Sequence, residues 1–209
     1  MIMILDYGMG NCGSIKNMLR YIGAEATTTT QPDALKDAKA IILPGVGSYD
    51  HGVKHLEPFK AILERKVLHE EVPFLGICLG MQLLLEESEE GQLLGLGWIK
   101  GKVKRFDFSS LESDQRLVVP HMGWNEIKPG TQSRLIKTLE HNSLERFYFV
   151  HSYHAAHVPE ENKIALCHYG YDFTCGIQKN NIYGVQFHPE KSHLFGKQLF
   201  KNFVEIAQC

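Results

Sequence analysis

One cysteine lies in a sequence pattern that suits a reactive nucleophile. The letters G-I-C-L-G at positions 76–80 follow the apolar run Val72 to Leu75 and precede the helical pattern Met81 to Glu86. This G-x-C-x-G pattern is typical of a nucleophile elbow, a strained strand-to-helix turn that flanking glycines permit. The dipole at the N-terminus of the following helix would favour the thiolate, which is the attacking form of cysteine. The pattern therefore predicts that Cys78 is a nucleophile, the alternative being a buried structural cysteine in a tight turn.

A thiol nucleophile needs a base, and the base needs a group that orients it. The segment H-P-E at positions 188–190 supplies both at the end of a predicted strand. Side chains two residues apart on an extended chain point the same way, so Glu190 can lie beside His188, and the rigid ring of Pro189 restricts the pair. Alone, this segment would indicate a surface histidine in a turn. Together with the cysteine motif, it predicts His188 as the base and Glu190 as its orienting group.

Acyl chemistry also needs hydrogen-bond donors for a developing oxyanion. One predicted donor is the backbone N–H of Leu79, directly after the nucleophile. The segment P-G-V-G at 44–47 follows a predicted strand and opens at the sheet edge where α/β proteins bind ligands, so Val46 and Gly47 are predicted to complete the oxyanion hole. The glycines let the peptide groups around Val46 rotate at low steric cost, so this half of the hole can be conditional. The alternative is a plain Gly-rich connection.

The elements that must position these groups form two halves. In the first half, short apolar runs alternate with helical patterns, and unbroken runs such as Ile41 to Leu43 are typical of strands covered on both faces. We therefore expect a mostly parallel central sheet flanked by helices. The predicted strands are Ile2–Leu5, Ala24–Thr29, Ala40–Leu43 and Val72–Ile77, and the predicted helices are Ser14–Tyr21 with Ser14 as its cap, Pro32–Ala38 and Asp50–Leu68.

After about Gly91 the pattern changes to short strands separated by turns, which predicts a more antiparallel C-terminal half. Asn180-Asn181 is predicted to form a tight hairpin turn, since Asn tolerates positive φ. Ser109 to Arg116 is predicted to be a surface loop, and Leu194 to Ala207 a closing helix. No internal repeat or linker is apparent, so residues 1–209 are predicted to form a single domain. The predicted strands are Gly101–Phe106, Leu117–Val119, Phe147–Val150, Ile164–Tyr169, Thr174–Gln178 and Ile182–Gln186.

Composition excludes several classes of protein. The 209 residues are 44% apolar and 22% charged, as in ordinary globular domains, and a net charge of −2 provides no broad positive field for nucleic acid. The apolar runs are far shorter than the roughly 20 residues of a membrane-spanning helix, and Asp6 interrupts any secretory signal, so we expect a cytoplasmic protein without a membrane partner. The five cysteines are widely spaced and contain no C-x-x-C pair, which fits neither a disulfide framework nor a zinc ribbon.

Three histidines at positions 151, 154 and 157 are the one pattern that resembles a metal site. Three-residue steps align side chains on a helix, but this segment follows a predicted strand, and no cysteine or carboxylate completes a ligand set. We therefore predict no metal and no cofactor.

Four segments of the chain resemble the class I glutamine amidotransferases. They are P-G-V-G at 44–47, G-I-C-L-G-M-Q-L-L at 76–84, P-H-M-G-W-N at 120–125 and F-H-P-E-K-S at 187–192. The third segment, with D-Y-G-M-G-N at 6–11, is more narrowly similar to the glutaminase subunits of imidazole glycerol phosphate synthases. The similarity extends over nearly the whole chain.

The resemblance implies a reaction and its residues. Cys78 would attack the side-chain amide carbon of glutamine to give a γ-glutamyl thioester. His188 would protonate the departing ammonia and then activate water, while Glu190 orients His188. A further set of residues would hold the glutamine, namely Gly47, Gln82, Ser152 and Tyr153.

The resemblance also implies a partner. In this family the ammonia passes to a cyclase subunit, a (β/α)8 barrel, which makes imidazole glycerol phosphate and an aminoimidazole carboxamide nucleotide for purine synthesis. The two subunits form a heterodimer. The positions that match the docking face are Asn11, Met122, Trp124 and Lys191. From the residue types alone, Trp124 could equally be a core residue and Lys191 a solvated charge.

Several alternatives stay open at this point. Cys12 and Gly97-Trp98 depart from the usual family pattern, and duplicated subunits of this kind supply ammonia to amidino-sugar synthetases in polysaccharide synthesis. A peptidase or γ-glutamyl hydrolase of the same fold would use a similar Cys-His pair, but it would not explain the P-H-M-G-W-N segment. A catalytically inactive binding module is a third alternative, against which the complete triad argues.

Overall fold

A computed structural model describes residues 1–109, 117–130, 133–137 and 145–208. Most of the predicted loop Ser109 to Arg116, together with Cys209, lies outside these residues. The strands in the described part of the chain are β1 Ile2–Leu5, β2 Ala26–Thr29, β3 Ala40–Leu43, β4 Phe74–Ile77, β5 Glu87–Ser88, β6 Lys102–Arg105, β7 His121–Pro129, β8 Arg146–His151, β9 Tyr153–Ala156, β10 Lys163–Tyr169, β11 Tyr171–Lys179 and β12 Ile182–Val185.

The helices surround these strands. The α-helices are α1 Cys12–Tyr21, α2 Tyr49–Leu56, α3 Lys60–Glu64, α4 Leu79–Gln82 and α5 His193–Ile206. Short 3₁₀-helices cover Pro32–Asp37, Glu57–Phe59, Glu160–Asn162 and Pro189–Lys191, and a π-helical turn covers Arg65–His69. No helix among the described residues is both long enough and apolar enough to cross a membrane.

The strands form one mixed sheet in the order β2-β1-β3-β4-β12-β11-β10-β7-β8. The pairs β1–β2, β1–β3, β3–β4 and β4–β12 are parallel, whereas the later pairs along this order are antiparallel. Strand β9 pairs with both β11 and β6. The predicted change from a mostly parallel to a more antiparallel half is confirmed. The carboxyl ends of β3, β4 and β12 consequently lie side by side at one edge.

The core lies on both faces of the parallel strands. Ile42 and Leu75 belong to the cluster packed against α1 and α5, while their neighbours Ile41 and Phe74 belong to the cluster packed against α2 and α3. All four residues of β1, β3 and β4 are buried. Successive side chains of a strand point to opposite faces, so burial of both faces explains why these runs are apolar without alternation.

Proline and cap chemistry account for differences from the predicted elements in the first half. The helix predicted over Asp50–Leu68 ends at Leu56 and resumes at Lys60, because Pro58 lacks an N–H. The strand predicted from Val72 begins at Phe74, directly after Pro73. Ser14 was predicted to cap α1, but the side chain of Asn11 caps it by accepting from the Ser14 N–H at 3.2 Å.

Tertiary hydrogen bonds account for other differences. The pattern Met81 to Glu86 predicts a longer helix than α4, but the carbonyls of residues 83–85 accept hydrogen bonds from the N–H groups of residues 96, 99 and 97, respectively. Leu117–Val119 is not a strand; the strand begins at His121 instead. The short strands β5 and β9 were not predicted. The hairpin at Asn180-Asn181 is confirmed, with Asn180 at φ 52° between β11 and β12.

Candidate active site

Cys78 occupies the turn between β4 and α4. Its backbone has φ 55° and ψ −110°, a conformation that L residues rarely adopt, and its N–H donates to the Val185 carbonyl at 2.8 Å. A Cβ at position 80 would overlap the Leu43 carbonyl oxygen, so glycine is needed where α4 crosses β3. The elbow predicted from the motif is therefore present. Helix α4 is a single turn, so its dipole contributes less to the thiolate than the sequence predicts.

The predicted base and its orienting group form a buried pair. His188 follows β12, and its Nδ1 lies 2.8 Å from Glu190 Oε1, with side chains only 2% and 3% exposed. Burial opposes protonation of His188, but its interaction with Cys78 and the hydrogen bond and charge of Glu190 outweigh burial and raise the pKa of His188 to about 10. Nε2 of His188 is buried without a hydrogen-bond partner among the described residues. This geometry favours an imidazolium at His188, held by Glu190 and facing the pocket that Cys78 lines.

Two of the three predicted oxyanion donors are engaged within the chain. The Leu79 N–H donates to the Gly45 carbonyl at 3.3 Å, and the Val46 N–H donates to the Met9 carbonyl at 3.0 Å. Gly47 has φ 108°, which favours glycine at this position. Leu79, Val46 and Gly47 thus lie beside Cys78 as predicted, but a rotation of the Gly45–Val46 segment is needed before both N–H groups can bind an oxyanion.

A pocket of about 340 Å³ brings the predicted substrate residues together. Besides Cys78 and His188, it is lined by Val46, Gly47, Leu79, Gln82, Ser152 and Tyr153. The Gln82 side chain donates to the Tyr153 carbonyl at 3.1 Å, which connects α4 to the start of β9. The pocket is large enough for a small polar substrate.

Glu90 also lines this pocket and was not predicted. Its carboxylate accepts the Tyr49 N–H at 2.9 Å, and burial raises its pKa. In the sequence, Glu90 is one of several acidic residues in a polar run, which usually indicates a solvated surface. Because the contact that places it comes from a residue 41 positions away, no local signal separates it from Glu89.

Three of the predicted docking residues lie on adjoining elements. Met122 and Trp124 are 63% and 45% exposed on β7, which excludes the alternative that Trp124 is a core residue. The Trp124 ring stacks on His193 with centroids 5.3 Å apart, and the Lys191 ammonium lies 5.6 Å from the Tyr148 ring centroid. Asn11, the fourth, caps α1 at the same sheet edge as Cys78, because α1 follows β1.

Two of the three histidines of the 151–157 segment have other partners, and His157 is exposed. His151 Nε2 lies 3.1 Å from His121 Nδ1, and His151 Nδ1 lies 2.7 Å from the Tyr153 carbonyl oxygen. His154 Nε2 lies 3.0 Å from the Tyr171 hydroxyl. Over the described ranges, no group of three or more potential ligands is arranged to hold a metal ion.

Known proteins resemble this chain over its full length. The family described as Glutamine amidotransferase class-I matches residues 3–207. An "Imidazole glycerol phosphate synthase subunit HisH 2" of Methanococcus maripaludis is 48% identical, covering 99% of this chain and 100% of that protein. An "Imidazole glycerol phosphate synthase subunit HisH" of Leptospira borgpetersenii is 43% identical over 99% and 100%. The solved structure of PurLQS from Thermotoga maritima shares the fold, with a TM-score of 0.74, 20% identity and coverage of 98% and 97%.

Proposed function

This chain belongs to the class I glutamine amidotransferase family, and from that premise we propose that it is the glutaminase subunit of an imidazole glycerol phosphate synthase. It hydrolyses glutamine to glutamate and ammonia, and it passes the ammonia to a cyclase subunit with which it forms a heterodimer. The observation that carries the proposal is that Cys78 and His188 line one pocket and Glu190 contacts His188. The chain is also 48% identical, over 99% of its length, to a protein named as an imidazole glycerol phosphate synthase subunit.

The proposed reaction proceeds through a thioester. The Cys78 sulfur attacks the side-chain carbonyl carbon of glutamine, and the electrons of the C=O bond move to the oxygen. As the C–N bond breaks, His188 gives its proton to the leaving nitrogen, and ammonia departs. The neutral imidazole then takes a proton from water, which attacks the thioester and releases glutamate. Glu190 holds Nδ1 of His188 at 2.8 Å, which fixes the ring and stabilises its protonated form.

The remaining pocket residues suit the amino-acid end of the substrate. We assign substrate contacts to Gly47, Gln82, Ser152 and Tyr153, and we add Glu90, whose carboxylate at the pocket wall can bind an α-ammonium group. Both N–H bonds of the Gln82 amide are engaged, with the Tyr153 carbonyl and with Gln186 Oε1, so its own oxygen remains as the acceptor for substrate.

The hydrogen bonds that Leu79 and Val46 already make within the chain support the proposal that activity depends on the partner. While Leu79 N–H donates to Gly45 and Val46 N–H donates to Met9, a tetrahedral oxyanion would find no pair of donors. We propose that docking of the cyclase, with its nucleotide bound, favours the rotated loop. Val46 is 45% exposed and lines the pocket, so a docked partner can contact this loop directly.

The test is glutamate release by the purified chain, alone and with the cyclase of the same organism, each with and without the cyclase's nucleotide substrate. A low rate alone and a sharp rise with both support the proposal and the conditional loop. Equal rates in all four mixtures overturn the conditional loop. A reactive glutamine analogue should alkylate Cys78, glutamine should protect it, and failure of both would indicate an inactive binding module.

A second candidate function has one observation in its favour. The relative at 48% identity carries the number 2 in its name, which is compatible with duplicated subunits. Such a subunit would supply ammonia to an amidino-sugar synthetase. If the cyclase leaves the glutaminase rate unchanged although Cys78 reacts with the glutamine analogue, this second function is favoured.

A further inference from the structure

Gln186 is a fully buried polar residue that the proposed mechanism does not use. It directly follows β12, and its backbone N–H continues the sheet by donating to the Cys175 carbonyl at 2.9 Å. Its side-chain Nε2 lies 3.7 Å from the Cys78 sulfur, within the range of an N–H to sulfur hydrogen bond. A buried amide needs partners for its polar atoms, so this contact with the nucleophile requires an explanation.

The orientation of the Gln186 amide follows from a backbone carbonyl. The Tyr153 oxygen can only accept, so the atom of Gln82 that lies 3.1 Å from it must be the NH₂ group. The same NH₂ group lies 3.0 Å from the Gln186 amide, so the Gln186 atom that faces it must be the oxygen. The nitrogen of Gln186 therefore faces the sulfur, and it can only donate.

The Tyr153 carbonyl is itself held from the other side by a pair of histidines. Asn125 is oriented by two backbone groups, since its NH₂ donates to the His168 carbonyl at 2.9 Å and its oxygen accepts the Glu126 N–H at 2.8 Å. That NH₂ lies 3.2 Å from His121 Nε2, which must then accept. His121 Nδ1–H therefore donates to His151 Nε2, and His151 Nδ1–H donates to the Tyr153 carbonyl.

His121 and His151 are both held in the neutral form. Burial lowers the pKa of His121 to about 4 and that of His151 to about 3. A second proton on either ring would have to sit at Nε2, where a donor already points. The direction of every hydrogen bond from Asn125 to the sulfur is thus set by the backbone groups that hold Asn125 and by the Tyr153 carbonyl between the histidines and Gln82.

We propose that Gln186 is a further catalytic residue, whose side-chain N–H donates to the Cys78 sulfur and stabilises its thiolate. Gln82, the Tyr153 carbonyl and the His121–His151 pair are the positioning groups that aim this N–H. The inference rests on the proposed function only in taking Cys78 as the nucleophile. The other ionisable groups around Cys78 are Glu90, His151 and His188 of the same pocket, with Glu190 behind His188, and Tyr7. Burial raises the pKa of Tyr7, so its hydroxyl stays protonated.

The test is the pH profile of alkylation of Cys78 by iodoacetamide in the full-length chain, followed by peptide mass mapping. Gln186→Leu removes the donor, and Gln186→Glu keeps the shape but places an acceptor and a negative charge beside the sulfur. For Gln186→Leu we expect the midpoint of the profile to rise by about one pH unit, so that the rate below the midpoint falls about tenfold. The high-pH rate should be unchanged or up to about threefold higher, because a less stabilised thiolate is more nucleophilic. Gln186→Glu should raise the midpoint further.

The matched control is Asn202→Leu, which removes another buried amide, one that donates to the Leu135 carbonyl at 2.9 Å in a different part of the core. This variant should lose stability and keep the wild-type profile. If the Gln186 variants fail to fold, Gln82→Leu should raise the midpoint by a smaller amount. A midpoint shared by the wild type and the folded variants overturns the proposal. Alkylation requires neither glutamine nor a partner, so a shifted midpoint in a chain that releases no glutamate even with the cyclase and its nucleotide would reject the proposed function alone.

Discussion

The buried ion pair of His188 and Glu190 makes a specific contribution to stability. Because the pKa of His188 in the folded chain is raised to about 10 from an ordinary value of 6.5, the folded state binds this proton more tightly than the unfolded state. The stabilisation is fully present below about pH 6.5 and is lost as the pH rises through about 10.

Glu190→Gln tests this contribution. At pH 6 the variant should be less stable than the wild type by about 1–3 kcal/mol, because a neutral amide stabilises an imidazolium less than a carboxylate does. The difference should shrink between pH 6.5 and 10 in urea titrations. The control is Asp172→Asn, which alters an exposed imidazole–carboxylate pair with a similar 2.7 Å contact to His168. A difference that is constant with pH would contradict the assignment.

The residues that could be predicted from the sequence are those whose neighbours in the chain define them. Cys78 is identified by two glycines beside it, and Glu190 by its position two residues after His188. Glu90, Gln186 and His121 were not predicted as site residues, because their contacts come from residues 30 to 108 positions away. An acidic residue in a polar run, or a glutamine after a strand, gives no such sign in the sequence.

At the scale of elements, the elbow depends on how closely α4 approaches β3. A Cβ at position 80 would overlap the Leu43 carbonyl, whereas a Cβ at Gly13, in the first turn of α1, would meet nothing within 4 Å. Gly80→Ala should therefore destabilise the chain by about 3 kcal/mol and slow the alkylation of Cys78. Gly13→Ala should be neutral or stabilising by up to about 1 kcal/mol, since alanine is the better helix former. Similar urea midpoints for the two variants would argue against this packing.

The histidine pair that joins β7 to β8 makes the sheet sensitive to acid. His121 and His151 are opposite each other in register, and burial lowers their pKa values to about 4 and about 3. The unfolded chain binds their protons from about pH 6.5 downward, so stability present above pH 6.5 is lost as the pH falls towards 4. Each histidine contributes a slope of at most about 1.4 kcal/mol per pH unit.

His121→Phe should flatten this acid slope in urea titrations between pH 7 and 4.5. The control is His51→Asn, at an exposed histidine, and this variant should show the same acid slope as the wild type. An equally steep slope in His121→Phe and wild type would show that other groups cause the acid sensitivity.

The pair of His121 and His151 also shows why some strands could be predicted from the sequence and β7 could not. Strands β1, β3 and β4 are recognised because all of their residues are apolar and buried. Strand β7 starts with a buried histidine and then exposes Met122, so the usual alternation of apolar and polar residues is reversed at its start. The pattern therefore predicts no strand there. His121 can be buried because His151 of β8 supplies its hydrogen-bond partner. The sequence around β7 alone does not show this partner.

For the molecule as a whole, the pocket and the proposed docking face adjoin each other. Val46 and Pro120 line the pocket, and the exposed apolar residues Val118 and Met122 flank Pro120 along the chain. The order of strands produces this arrangement, because β3, β4 and β12 end at one edge. A partner docked here would cover residues next to the pocket that holds Cys78, which agrees with the proposed transfer of ammonia between subunits.

Trp124 is the side chain on this face from which the largest binding contribution is expected. It is 45% exposed, and its ring is fixed by stacking on His193 at 5.3 Å, so little entropy is lost when a partner covers it. Trp124→Ala should weaken binding of the cyclase by about 2 kcal/mol, or about thirtyfold in Kd, as measured by calorimetry. It should leave alkylation of Cys78 unchanged.

Tyr21→Ala provides the matched control for this last prediction. Tyr21 is an aromatic residue, 72% exposed, at the end of α1. Because α1 starts beside the carboxyl ends of the strands and runs back along them, Tyr21 lies towards the opposite edge of the sheet. Cyclase affinity should therefore be the same in Tyr21→Ala and wild type. Equal affinity losses in the two variants would place the docking face elsewhere, while the assignment of Cys78, His188 and Glu190 would be unaffected.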